Sequence, residues 1–305
     1  MAVLLVLTFV VLGVVLHDVV RRSSFRRLAI RNVVRRRNEA VLVVVGCLLG
    51  TAIITSAFVV GDTFDASITD GARTGYGPVD VTVRRGLFGA DELFAAVGEI
   101  PPEGADGMLR SVDATAVLAT APGDDGDVRA VPDAHIGELD FDEARAFGGD
   151  VDATGLADAG PTPTGDEIVL GEQAADQLGV EVGEEVVTYV LGEPQERTVR
   201  DVLPEVGLAG FADAYVPPGS HAAARDAALA RSGGELVGTE PSAVLLLSLD
   251  GGVLDAADAS PVVDELEART SDLPGVDVAP VKEELLERAD EEASGVQGLF
   301  TGIGA

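Results

Sequence analysis

The sequence predicts an α+β protein: transmembrane helices followed by a split α/β extracytoplasmic domain with an inserted β-rich lobe. Three observations carry that expectation. A run of 21 residues, 40–60, contains no charged side chain. Eight arginines crowd the stretch from Arg21 to Arg37. From residue 61 onward, short strand-like runs alternate with helix-like ones in a strongly acidic chain.

Residues 1–20 form the first expected membrane helix. The stretch Ala2–Leu16 is apolar, and its positive charge follows it rather than precedes it. A secretory signal peptide has the opposite order, so the arrangement fits an N-out anchor. Residues 21–39 are then a cytoplasmic loop, because short loops rich in arginine stay inside. Within it Arg27, Arg31 and Arg35 recur at four-residue spacing, while Phe25, Leu28, Ala29 and Val33 gather on another side. That pattern predicts a basic amphipathic helix that binds anionic headgroups or docks a partner at the membrane surface.

Residues 40–60 match the roughly 20 residues needed to cross about 30 Å of hydrocarbon. Gly46 and Gly50 form a G-x-x-x-G step, repeated in spacing by Ala52 and Ser56, that suits close helix packing. Val44-Val45-Gly46-Cys47 loosely resembles a lipoprotein signal. However, a lipid-anchored cysteine is followed by a polar tether, whereas Leu48–Val60 continues apolar.

The chain from 61 to 292 is expected outside the membrane. Its charge follows from the totals: 52 acids and 21 bases give −31 over 305 residues. The first 60 residues hold only Asp18 and Glu39 as acids, with eight arginines, so 50 acids and 13 bases remain beyond them, a net charge of −37. Such an excess repels itself, and 1 M salt relieves it by shortening the screening length to about 3 Å. Lys282 is the sole lysine. Together these read as the composition of an extreme halophile, with a solvated acidic surface rather than a cation-binding one. Nucleic acid is excluded as a partner, since phosphate would be repelled. Cys47 is the only cysteine, so neither an intrachain disulfide nor a cysteine metal site can form.

In chain order, the alternation of Val79–Arg85 predicts a strand. Ala90–Ile100 predicts a helix with Leu93, Phe94 and Val97 on one face. Two strands follow over Arg110–Thr120 and Val128–Ile136, around the turn residues 122–126. Residues 147–166, rich in Gly, Asp, Pro and Thr, read as a boundary or surface loop. Ile168–Leu170 is a strand and Glu172–Leu178 a short helix ending at Gly179. Glu185–Leu191 and Arg197–Leu203 are strands joined through a turn at 192–194, and residues 214–217 complete the β-rich lobe. Val244–Leu249 is a buried strand, Pro261–Thr270 a helix, Val276–Val281 a strand, and Val281–Ala289 a helix. The expected lobes are thus 78–145 with 242–290 (α/β) and 166–220 (β-rich). Residues 293–305 are uncharged and read as the start of a further membrane helix, as in a fragment of a longer protein.

Arg27-Leu28-Ala29-Ile30-Arg31-Asn32, the apolar run after it and Gly61-Asp62-Thr63-Phe64 resemble the opening segment of FtsX/MacB-type ABC-transporter permeases. Ile168–Glu172 with Leu178–Glu185 resembles a turn of the MacB-like periplasmic core domain, and Tyr215-Val216-Pro217 the strand closing its β-rich part. The resemblance runs from about 25 to 305. It implies one membrane helix, a large outer domain and three more membrane helices. The extra apolar run at 1–20 and the missing last three helices depart from that pattern.

The resemblance further implies a multi-pass permease of the cell membrane that lacks catalysis of its own. It would work as a homo- or heterodimer beside a separate cytoplasmic ATP-binding cassette subunit, whose ATP hydrolysis moves the outer domain. Lys282 lies in Pro-Val-Lys-Glu and in no phosphate-binding G-x-x-x-x-G-K-[ST] loop. His17, His135 and His221 lack metal-type spacing, and the latter two read as surface or loop residues. No catalytic, cofactor or metal residues are expected. The alternatives are a non-transporting FtsX-like signalling or scaffold protein that binds a cell-envelope partner, and a membrane-anchored binding protein without an ATPase.

Overall fold

The computed structural model describes residues 35–39, 41–52, 55, 77–121, 128–251 and 258–288. The chain divides into two compact units, Met1–Phe64 and Asp65–Ala305. In the first, residues 41–52 are helical, as their unbroken run of apolar and small side chains favours. Thr51 Oγ1 donates to the Cys47 carbonyl at 2.8 Å, the bond by which a hydroxyl satisfies itself inside an apolar helix. Val41, Leu42, Val43, Val44, Val45, Leu48 and Leu49 are all exposed. Among the described residues, no helix is long and apolar enough to cross a membrane. The expected span 40–60 is described only in part, and those at 1–20 and 293–305 lie outside the described residues.

The second unit is α+β, built on one mixed sheet of nine strands ordered β3-β7-β4-β6-β5-β2-β8-β1-β9, with β3 also paired to β2. The strands are β1 (Val81–Gly86), β2 (Ala105–Thr120), β3 (Ala130–Leu139), β4 (Glu167–Gly171), β5 (Glu185–Val190), β6 (Glu193–Leu203), β7 (Ala214–Val216), β8 (Ser242–Leu249) and β9 (Asp277–Ala279). The extra β2–β3 pairing closes β2-β3-β7-β4-β6-β5 into a ring. Two of its pairings, β3–β7 and β4–β6, are parallel, and the others are antiparallel.

The 16-residue β2 is the spine. One edge pairs with β3 along most of its length. The other edge pairs with β8 over its first half and with β5 over its last four residues. The sequence grouped 78–145 with the α/β lobe. In the structure β3 sits in the ring instead, because Ile136–Glu138 pairs with Ala214–Val216.

Alternation along each strand fills the ring. Ala114, Ala116 and Leu118 of β2, Ala134 and Ile136 of β3, and Ile168 and Leu170 of β4 share one buried cluster. Val186 and Val190 of β5, Val199 of β6, and Ala214 and Val216 of β7 complete it. Two helices, α3 (Glu172–Leu178) and α4 (Ser220–Ser232), add Ala174, Ala175, Leu178 and Ala224. The sequence reading had no helix at 220–232, where alanines dominate and the apolar stripe is narrow.

Strands β9, β1, β8 and the first half of β2 form the α/β layer. Helices α1 (Ala90–Val97) and α5 (Ser260–Thr270) cover one face through Leu93, Val97, Val262 and Leu266. Arg269 Nη1 holds the two helices together at 2.7 Å from the Val97 carbonyl. β8 is buried on both faces, as its near-continuous apolar run requires. Leu245 and Leu247 face the helices, while Val244 and Leu246 join a second cluster with Phe141, Phe147, Leu156 and Tyr215.

Two local expectations change. Residues 147–166 are no surface loop: Phe147, Thr154 and Leu156 are buried, and a short helix, α2 (Phe141–Ala146), capped by the Asp140 carboxylate, precedes them. Its neighbourhood is tight enough that a Cβ on Gly207, at φ +55°, would lie 2.0 Å from the Ala153 carbonyl oxygen. The β5–β6 hairpin turns at Leu191-Gly192, both at positive φ (53° and 74°), as two-residue hairpins prefer. Pro194 therefore lies in β6 opposite Tyr189, beyond the turn expected at 192–194.

Candidate functional site

Of the residues singled out in the basic loop, Arg27 and Arg31 lie outside the described residues, and Arg35 is exposed in a helical segment. Gly46 and Gly50 are in the helical stretch, and a Cβ on either would meet nothing within 4 Å. A partner for that face is therefore not supplied by the described part of this chain. His17 lies outside the described residues, and His135 is exposed on β3. His221 corrects the surface expectation: it is fully buried in the first turn of α4.

Burial of His221 creates a polar cluster inside the ring. The alternation that points Ala134 and Ile136 inward also points Glu138 inward, and Glu138 is 6% exposed. Its carboxylate accepts the Gly219 N–H at 2.7 Å and the His221 N–H. These donors belong to the opening turn of α4, whose N–H groups have no partner within the helix, so Glu138 caps α4 from another strand. Nε2 of His221 lies 2.9 Å from the Ile136 carbonyl oxygen. A carbonyl only accepts, so Nε2 carries the proton, and in the neutral ring Nδ1 is an acceptor 3.9 Å from Glu138 Oε1.

Arg197 of β6 completes the cluster. It donates to the Gly165 carbonyl at 2.9 Å and to Ser220 Oγ at 3.1 Å. Burial pushes the Glu138 carboxyl above its usual range against the two backbone N–H bonds and Arg197. Burial likewise pushes His221 down to about 4, with a further push from Arg197. The carboxylate is therefore held by dipoles and a guanidinium, and the imidazole beside it is neutral. Both Glu138 oxygens are engaged by backbone N–H groups, which suits the group to fixing α4 rather than to moving protons.

A second buried charge lies in the α/β layer. Asp80, just before β1, accepts the Leu249 N–H at 2.7 Å on Oδ2 and donates its own N–H to the Leu247 carbonyl at 2.9 Å. Lys282, just after β9, places Nζ 2.5 Å from Asp80 Oδ1, with the two side chains 3% and 8% exposed. The Lys282 N–H donates to the Asp80 carbonyl at 3.3 Å. Burial raises the Asp80 carboxyl, and Lys282 and the Leu249 N–H pull it back down. The sequence reading used Lys282 as a mark of composition and to rule out a phosphate-binding loop, and gave it no place in the fold. Its uniqueness among 20 arginines was the signal that it has a particular place.

Among the described residues, no group of three or more His, Cys, Asp or Glu side chains could hold a metal ion. No protein-family model and no curated protein matches the chain. Among solved structures, it is similar to a domain, provisionally assigned as part of a permease protein, from Porphyromonas gingivalis. The TM-score is 0.32 at 14% identity, over 67% of this chain and 88% of that one. The α+β architecture described above does not depend on that likeness.

Proposed function

We propose that the chain belongs to a membrane-spanning permease subunit of an ABC transporter of the FtsX/MacB type, with its acidic unit outside the membrane. The observation that carries this reading is the first unit's apolar helix. Valines and leucines from 41 to 49 are exposed on every side of it, and a helix apolar all round belongs in lipid or against other helices. It lies within a charge-free run of 21 residues, and eight arginines precede that run. Arginine placement keeps residues 21–39 inside and sends the second unit out.

On this reading the basic loop with Arg27, Arg31 and Arg35 meets a separate cytoplasmic ATP-binding subunit, and Gly46 and Gly50 meet another membrane helix, from this permease or a second copy. ATP hydrolysis in that subunit moves the outer unit, and this chain catalyses nothing itself. The full-length protein purified with a cytoplasmic ATP-binding subunit should form a complex that Arg27→Glu/Arg31→Glu/Arg35→Glu weakens. A permease that binds no ATPase, with or without those changes, would refute the reading; capture of an envelope partner instead would favour the scaffold alternative.

A further inference from the structure

Strands β1 and β9 are antiparallel, with Thr82 opposite Ala279. The start of β1 therefore lies beside the end of β9, and the chain enters and leaves the sheet at one place. That place is where Asp80 and Lys282 meet. A buried ion pair is a weak device for stability, since desolvating two charges offsets most of their attraction. A lysine here is also unexpected on composition, because every other cationic side chain of the chain except histidine is arginine. Lysine is a compact point charge, whereas arginine is a planar fork that needs more room and more acceptors.

The bonds at this point run in both directions along the chain. Asp80 is bonded to β8 at Leu247 and Leu249, and to Lys282, three residues past β9, through its carbonyl and by the ion pair of their side chains. Val79 and Val281, next to the two charged residues, both pack into the cluster beneath β8. The helical stretch 281–288 begins at the same point, with the Glu284 N–H donating to the Pro280 carbonyl at 3.0 Å.

We infer that Asp80 and Lys282 form a clamp that holds the strand by which the chain enters the sheet, β1, and the helical stretch by which it leaves the sheet, 281–288, as one body. A displacement of either flank then reaches β8, the strand buried on both faces, through Asp80. The clamp deepens the permease reading, on which it depends only for what displaces the flanks.

Hydrogen exchange of the full chain in detergent, resolved along the sequence, tests it. The double variant Asp80→Asn/Lys282→Met removes both charges and leaves an acceptor for the Leu249 N–H, so it avoids a buried unpaired ion. With the clamp severed, amides of 282–286 should exchange about 100-fold faster by local opening, while those of Ile136 and Tyr215 in the ring keep their wild-type rates. Unchanged exchange at 282–286 would overturn the inference. So would an equal acceleration everywhere, which would mean that the pair contributes only to global stability. Exchange is measured without any ATPase, so its failure is separate from a failure of the association experiment.

Discussion

The ring and the α/β layer each bury one carboxylate, and they stabilise it by different means. Glu138 in the ring is held by backbone N–H groups at the start of α4, with a neutral imidazole beside it and Arg197 further off. Asp80 in the layer is held by a full opposite charge, Lys282, and one N–H. Dipoles fixed by a helix cannot leave their carboxylate, whereas a lysine on a flexible stem can. The ring site is thus a fixed cap for α4, and the layer site a joint between two stretches of chain.

Breaking the joint on one side should have the largest effect. Lys282→Met leaves Asp80 buried and unpaired, at a cost of about 3–5 kcal/mol. Denaturant unfolding of the full chain should show most of that loss restored in the double variant with Asp80→Asn. If the double variant is no more stable than the single one, the Coulombic account of the joint fails.

The cap should cost somewhat less to break. Glu138→Ala orphans the Gly219 and His221 N–H groups and removes the anion that Arg197 faces, for about 2–3 kcal/mol. Here no second substitution at Arg197 should restore stability, because the helix N–H groups stay unmet. A full rescue by Arg197→Met would show that the cap is an ion pair after all.

Acidity should sharpen the contrast further. His221 is depressed from 6.5 to about 4 by burial. Between those values the unfolded chain takes up a proton that the folded chain refuses, so its contribution to stability falls as pH drops through that window and levels off below it. Asp80 and Glu138, both raised, act in the opposite sense. The difference between wild type and His221→Gln isolates the histidine. The wild type should lose ground to the variant as pH falls from 6.5 toward 4, and parallel curves across that range would mean that His221 is not held neutral.

The smallest effect concerns a contact that belongs to neither site. Arg225 of α4 lies 4.8 Å from the centre of the Phe88 ring, which follows β1. Arg225→Ala should cost about 0.5–1 kcal/mol in the same unfolding assay and leave both pH and exchange behaviour alone. A larger loss would make this stacking a tie between ring and layer.

Much of the second unit was legible because its elements are short and punctuated. The strand at 81–86, the helix from Ala90, the Gly179 stop after α3 and the buried run 244–249 follow from periodicity and caps. Neither site was. Glu138 was one acid among 52, and only the inward alternation after Ala134 and Ile136 set it apart. His221 sits in an alanine-rich stretch whose helical period was faint.

By itself the sequence determined the distribution of charge, the apolar run at 40–60, and the α and β character of most segments, because these depend on residues near one another in the chain. Tertiary structure alone decided that β2 serves two lobes, that β3 closes a ring with β7, and that residues 80 and 282 meet. Those outcomes depend on pairing between strands distant in sequence, where many registers satisfy the same alternation and only the packed core selects one.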